Sequence, residues 1–136
     1  MNRVLDIRDV DPEASDAYTG RGLARVMLGD YREGVADAGE ALRRNPGTPE
    51  MTHNLACIFA QAAGRARADS RADDRESLAA GYGSRAFEAI RQTLTMLKPE
   101  ERSAFWQERI LPDDALTPIR NDPRFKQLAT ECGRPR

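Results

Sequence analysis

The clearest pattern of apolar and polar positions lies between Ala17 and Pro46. Apolar or small residues recur there every three or four positions in two blocks, which is the spacing of amphipathic helices. The Gly29-Asp30 pair separates the blocks and predicts a turn. The pattern therefore predicts a helical hairpin, in which Gly22 leaves room for the second helix to approach closely. Its two packed faces are expected to contain Tyr18, Gly22, Val26 and Leu28, and Tyr31, Val35, Ala38, Ala41 and Leu42.

Start and stop signals divide the rest of the chain into further helices. A capping residue followed by proline, as in Asp11-Pro12 and Thr48-Pro49, is typical of a helix start. Asn45-Pro46 and Gly64 are expected to end helices. The predicted class is therefore all-α in a single domain over 1–136. Helices are predicted at about 12–28, 31–44, 49–63, 99–109, 112–120 and 121–130. Another is predicted through 86–97, and a start near Ser77 is the alternative.

Residues 15–48 resemble a tetratricopeptide repeat, a helix-turn-helix unit of 34 residues. Two positions depart from the family: Arg21 stands where an apolar residue is usual, and Gly34 replaces the commonest alanine. The resemblance implies antiparallel helical hairpins stacked as a short solenoid, and an unrelated helical hairpin is the alternative. The family's aromatic, small, Leu-Gly, Tyr, Ala and Pro positions are matched by Tyr18, Gly22, Leu28-Gly29, Tyr31, Ala41 and Pro46.

A second, interrupted repeat is expected at 49–98. Ala56 follows Gly22 at the 34-residue period. The period then breaks, because the counterpart of Gly34 is Ala86, about 18 residues late. The inserted stretch near 65–83 is rich in arginine and acidic residues, which favours a solvated loop or a helical extension. A loop that contacts a partner is the functional alternative.

The C-terminal stretch carries a second resemblance. Asp113 to Leu128, D-D-A-L-T-P-I-R-N-D-P-R-F-K-Q-L, is similar to the closing segment of repeat arrays in multidomain bacterial proteins, many of them serine/threonine protein kinases. The chain has no counterpart of a kinase phosphate loop or catalytic loop, so it is not itself expected to be a kinase. A repeat cannot bury its apolar face alone. We therefore expect capping helices at 99–130, with Trp106 and Phe125 covering the end of repeat two.

In the tetratricopeptide family, the first helices of successive repeats line a concave groove. The resemblance carries this role to positions in the first and third helices, giving a mixed surface with an apolar middle. Such a surface suits an extended peptide or a helix laid in the groove. The implied groove residues are Asp16, Thr19, Leu23, Val26, Met27, Glu50, His53, Cys57, Ala60 and Gln61.

Composition excludes several classes of partner. Apolar residues make up 40% and charged residues 32% of the 136, and the net charge is −1. This balance argues against a general nucleic-acid or anionic-membrane binder, which needs a basic surplus. No apolar run approaches the roughly 18 residues of a membrane span, and the first residues are too charged for a signal peptide. Cys57 and Cys132 are expected to be separate reduced thiols, which fits a cytoplasmic protein.

Candidate chemistry is sparse. His53 and Cys57 are four residues apart on one predicted helix, a spacing that can share a metal ion or pair a nucleophile with a base. The sequence reveals no third ligand, orienting group or oxyanion hole, so we expect no metal, no cofactor and no catalysis. The paired acids Glu100-Glu101 and Asp113-Asp114 stand at predicted helix starts, where capping explains them.

The sequence thus favours a non-catalytic protein-protein interaction module that binds a peptide or helix, as a scaffold or as the regulatory part of a larger signalling protein. A self-association unit that stacks end to end as a weak homo-oligomer is the alternative. A small helical enzyme that uses His53 and Cys57 is a third hypothesis.

Overall fold

The computed structural model describes residues 12–44 and 47–132, and within these ranges the fold is all-helical, without a strand. Expectations for Asp11, Asn45-Pro46 and the two chain ends lie outside the described residues. The helices are α1 (Pro12–Met27), α2 (Tyr31–Arg44), α3 (Pro49–Arg67), α4 (Arg75–Met96), α5 (Pro99–Phe105) and α6 (Pro123–Cys132). A π-helical turn (Trp106–Ile110) and a 3₁₀ helix (Asp114–Ile119) lie between α5 and α6.

The first hairpin forms as its pattern predicts. Gly29 has a positive φ of 98°, and Asp30 N–H donates to Arg25 C=O at 2.8 Å while Gly29 N–H donates to Val26 C=O at 3.0 Å. This pair of bonds is the Schellman motif, which satisfies the last carbonyls of α1 and turns the chain back. Leu28 was expected on the packed face, but it is 80% exposed because it stands in this turn, beyond the end of the helix.

Close packing of α1 on α2 depends on two glycines that face each other. A Cβ atom on Gly22 would lie 2.9 Å from the carbonyl oxygen of Gly34, and one on Gly34 would lie 2.7 Å from the carbonyl oxygen of Gly22. Arg21, which stands where an apolar residue is usual in the family that the chain resembles, also contacts α2. Its guanidinium holds the Asp37 carboxylate of α2 by two bonds, of 2.8 and 2.9 Å, and Arg25 adds a third at 3.0 Å.

The second hairpin is longer than predicted, because the inserted residues extend both of its helices. Helix α3 continues past Gly64 to Arg67, and α4 begins at Arg75, so only 68–74 form a connection. Gly64 does not end the helix. Its missing side chain instead makes room for the Pro118 ring, 3.1 Å from where a Cβ would lie. Thr48 caps α3 as expected, accepting a hydrogen bond from Met51 N–H at 3.1 Å.

The C-terminal elements pack onto this second hairpin. The predicted helix at 99–109 changes to a π-helical turn at Trp106, where Leu111 N–H donates to Trp106 C=O five residues back at 2.8 Å. Trp106 and Phe125 are both buried, with ring centroids 5.2 Å apart. The 3₁₀ helix packs against α3. Residues from α1 to α6 thereby share one apolar core, which includes Val26, Ala38, Leu55, Phe59, Ile90, Trp106, Ile110, Leu116 and Leu128.

Candidate functional site

The residues implied as groove-lining divide into two groups with different surroundings. Those of α1 mostly face solvent: Asp16 is exposed, Leu23 is 43% exposed and Met27 is 50% exposed. Gly20, between them on the same helix, has nothing within 4 Å of an added Cβ. Thr19 is half-buried, and its hydroxyl donates to Ser15 C=O. We call the surface formed by Asp16, Thr19, Gly20, Leu23 and Met27 the open α1 face.

Their counterparts on α3 are covered by the chain itself. His53 is 3% exposed and Cys57 is 8% exposed, because Asp113 lies over both of them. The Gln61 amide donates to Ala115 C=O at 2.8 Å. Glu50 remains exposed, with an Arg109 nitrogen 3.9 Å from its carboxylate. The prediction of an accessible groove over α3 is therefore wrong, since residues 113–119 occupy that side of the helix.

Two of the implied groove residues belong to the core. Val26 and Ala60 are 34 residues apart in the sequence, and both have no exposed surface. Their side chains face the interior of the helix stack rather than the groove. Their burial does not agree with the groove-lining role that the family resemblance implied for these two residues.

Two side chains from the covered part of α3 and one from the start of the 3₁₀ helix form a compact group among the described residues. His53 Nε2 lies 2.8 Å from Asp113 Oδ2, Cys57 Sγ lies 3.4 Å from the same oxygen, and Sγ and Nε2 are 3.8 Å apart. We call these three residues the His–Cys–Asp cluster. Asp113 also caps the 3₁₀ helix, because its other oxygen accepts a hydrogen bond from Ala115 N–H at 3.0 Å. The capping role was predicted, whereas the contact with α3 was not.

Proton positions in the cluster follow from its donors and acceptors. A carboxylate only accepts, so Nε2 of His53 and the Cys57 thiol both donate to Asp113. Burial of Cys57, and then the adjacent carboxylate, raise the pKa of the thiol far above its ordinary value. Burial of Asp113 acts to raise its pKa, but bonds from Ala115, His53 and Cys57 together hold that pKa below the usual range.

This arrangement does not form a nucleophilic pair. An activated cysteine is a thiolate, or it donates its proton to the lone pair of a neighbouring base. Here the nearer imidazole nitrogen carries its own proton, and the thiol points at a carboxylate. Asp113 accepts the Nε2 proton, so Nδ1 would be the basic nitrogen of His53, but Nδ1 is buried and has no hydrogen-bond partner within the described residues, and therefore no nucleophile to activate. Phe105 packs edge-on against the ring, with centroids 6.1 Å apart.

Asp113 is the cluster member that sequence reasoning did not place there. It is 60 residues from His53, and its position at a helix start explained it locally. The one signal in the sequence was the pair His53 and Cys57 on a largely apolar helix face, because buried polar atoms need hydrogen-bond partners from elsewhere in the chain.

A scan against protein-family models matches no family, and neither the search of curated proteins nor the search of solved structures returns a match.

None of the helices in the described ranges combines the length and apolar character that crossing a bilayer requires.

Proposed function

We propose that this chain is a non-catalytic interaction module of the tetratricopeptide type, which binds an amphipathic helix or short peptide on its open α1 face. The proposal is supported mainly by what lies on the equivalent face of α3. There, the chain's own 3₁₀ helix occupies the position that a ligand would take, whereas nothing among the described residues covers the same positions of α1.

The chain's own segment illustrates how such a face holds a helix. Leu116 of the 3₁₀ helix is fully buried, and polar side chains of α3 bind the segment at its start through Asp113 and Ala115. The α1 residues one period earlier than His53, Cys57 and Gln61 are Thr19, Leu23 and Met27. They are more apolar, so the ligand expected on α1 presents apolar side chains at helical spacing.

The exposed apolar side chains of the protein also favour the open α1 face as the binding surface. Leu23, Met27 and Leu28 account for three of the four exposed large hydrophobic side chains in the described residues. A group of such residues on one helix and its turn is typical of a protein-protein contact. Arg65 fixes this end of the helix by donating to Met27 C=O at 3.0 Å, so the face is preformed.

The enzyme hypothesis has less support, because the cysteine it requires is buried and protonated. Two free cysteines are consistent with the reducing compartment expected from the sequence, and we propose a cytoplasmic module within a signalling or scaffolding protein.

The test is a selection of random helical peptides against the wild-type protein, followed by binding measurements on variants. The Leu23→Glu/Met27→Glu variant should bind the selected peptides at least about tenfold more weakly, since each substitution removes an apolar contact that the peptide buries. The matched control is Ala36→Glu/Ala80→Glu, which adds the same charge at exposed positions of α2 and α4. Equal affinity for both double variants would rule out the open α1 face.

Sedimentation over a concentration range distinguishes self-association from peptide binding. A dimer that the Leu23→Glu/Met27→Glu variant abolishes would mean that a second copy, rather than a peptide, occupies this face.

A further inference from the structure

We infer that the His–Cys–Asp cluster is a zinc-binding site that fastens the C-terminal segment to α3. Three different ligand atoms converge there: an imidazole nitrogen, a thiol sulfur and a carboxylate oxygen, all within 4.8 Å of one another. Zinc accepts this combination of nitrogen, sulfur and oxygen ligands. This inference is independent of the open α1 face.

The distances suit one tetrahedral ion. Ligand atoms bound to zinc at their usual lengths are roughly 3.3 to 3.6 Å apart at a tetrahedral angle. The Sγ–Oδ2 distance of 3.4 Å and the Sγ–Nε2 distance of 3.8 Å are close to this spacing. Only the Nε2–Oδ2 pair is too close, at 2.8 Å, because it is a hydrogen bond that the ion replaces. A shift of about half an ångström in Asp113 is sufficient.

Charge and exposure favour the ion as well. A zinc ion with one thiolate and one carboxylate is neutral overall, which limits the cost of placing it in a buried site. The Asp113 side chain is 31% exposed while the His53 side chain is only 4% exposed, so solvent reaches the cluster from one side. That side supplies the fourth ligand, a water molecule.

Binding requires a defined exchange of protons. The Cys57 thiol loses its proton to solvent as the Zn–S bond forms. His53 binds zinc through Nε2 after the Nε2 proton moves to Nδ1. Nδ1 can take this proton because no described group donates a hydrogen bond to it. The Asp113 carboxylate is already charged. Each ion therefore releases one proton, and the affinity rises with pH.

The ligands come from α3 and from the residue that begins the 3₁₀ helix, far apart in sequence. One ion would therefore cross-link the segment at 113–119 to the helix it covers. Zinc would raise the thermal unfolding midpoint, and its removal would loosen the contact between α3 and the 3₁₀ helix.

The test uses the full chain, freed of metal by a chelator, with Co²⁺ as a spectroscopic probe and Zn²⁺ as its competitor. The expected result is one Co²⁺ per chain, with a thiolate-to-cobalt absorption band that Zn²⁺ abolishes and about one proton released per ion. Absence of stoichiometric binding by either ion, or cobalt binding without the thiolate band, would overturn the inference.

Three variants locate the site. Cys57→Ser should remove the thiolate band and weaken Zn²⁺ binding by about 100-fold or more, since second-shell changes alone cost 10- to 100-fold. Asp113→Asn keeps a capping oxygen for Ala115 and should weaken binding similarly, which provides a result if Cys57→Ser does not fold. Cys132→Ser, at the other free thiol, should bind as wild type does. Binding that survives Cys57→Ser, or that is lost only in Cys132→Ser, would assign the metal elsewhere and refute the site.

Discussion

The same substitution, glycine to alanine, should stabilise the protein at one position of α1 but not at another two residues away. Gly20 is exposed, and an added Cβ has nothing within 4 Å. Gly22 is buried two residues later, where an added Cβ would lie 2.9 Å from Gly34 C=O and 3.2 Å from the Asp37 Cβ. Both glycines lie in one helix, so their backbone conformations are alike and the comparison isolates packing.

The magnitudes follow from two opposing terms. Replacing glycine by alanine in a helix interior stabilises it by about 1 kcal/mol, because the unfolded chain loses conformational freedom. At Gly20 this term acts alone. At Gly22 the new methyl meets backbone that cannot rotate away, and overpacking costs about 1–3 kcal/mol. The two variants should therefore differ by about 1–3 kcal/mol, with Gly20→Ala the more stable.

Gly34 tests the same contact from the other helix. An added Cβ there would lie 2.7 Å from Gly22 C=O and 3.1 Å from Val26 N, and would overlap a methyl group of Val26. Gly34→Ala should therefore be at least as destabilising as Gly22→Ala, although alanine is the commonest residue at this position in the family that the chain resembles.

The assay is urea unfolding followed by far-ultraviolet circular dichroism, with thermal unfolding as a second measure. With an unfolding entropy of about 2.1 cal/mol/K per residue, each 1 kcal/mol corresponds to a shift of about 3–4 °C in Tm. The reasoning is refuted if Gly22→Ala and Gly34→Ala unfold at the same urea concentration as Gly20→Ala. Such a result would mean that α1 and α2 do not approach as closely as the structure places them.

Three further predictions concern the buried polar and aromatic groups. Asp37→Asn should cost about 1–3 kcal/mol at neutral pH, because the bond from Arg21 and the charges around it favour the carboxylate and lower its pKa. The stability difference between wild type and Asp37→Asn should be fully present above the ordinary carboxyl pKa near 4 and should shrink as the pH falls through the lowered pKa of the folded protein. Urea unfolding at each pH measures it. Trp106→Ala should cost about 3–5 kcal/mol, and a wild-type Tm would contradict its role in covering the second hairpin. Cys57 should react with a maleimide at least about tenfold more slowly than Cys132, and equal rates in the native protein would show that the segment at 113–119 does not cover it.

Local features of the sequence determined where the helices begin and end. The Gly29 turn and the Thr48-Pro49 start depend on residues within one helical turn of the boundary, so the sequence alone sufficed. Gly64 was misjudged as a helix end, because its local signal was ambiguous and the Pro118 ring that packs on it is 54 residues away.

Tertiary structure decided which faces are open and which side chains meet. Period and family resemblance gave α1 and α3 the same role. Within residues 12–44 and 47–132, however, the 3₁₀ helix covers α3, and no described segment covers the open α1 face. The partner of Arg21 is on the next helix, and Asp113 reaches His53 from 60 residues away. Helix boundaries depend on backbone hydrogen bonds between near neighbours, whereas these contacts depend on the path of the whole chain, which a repeating pattern leaves undetermined.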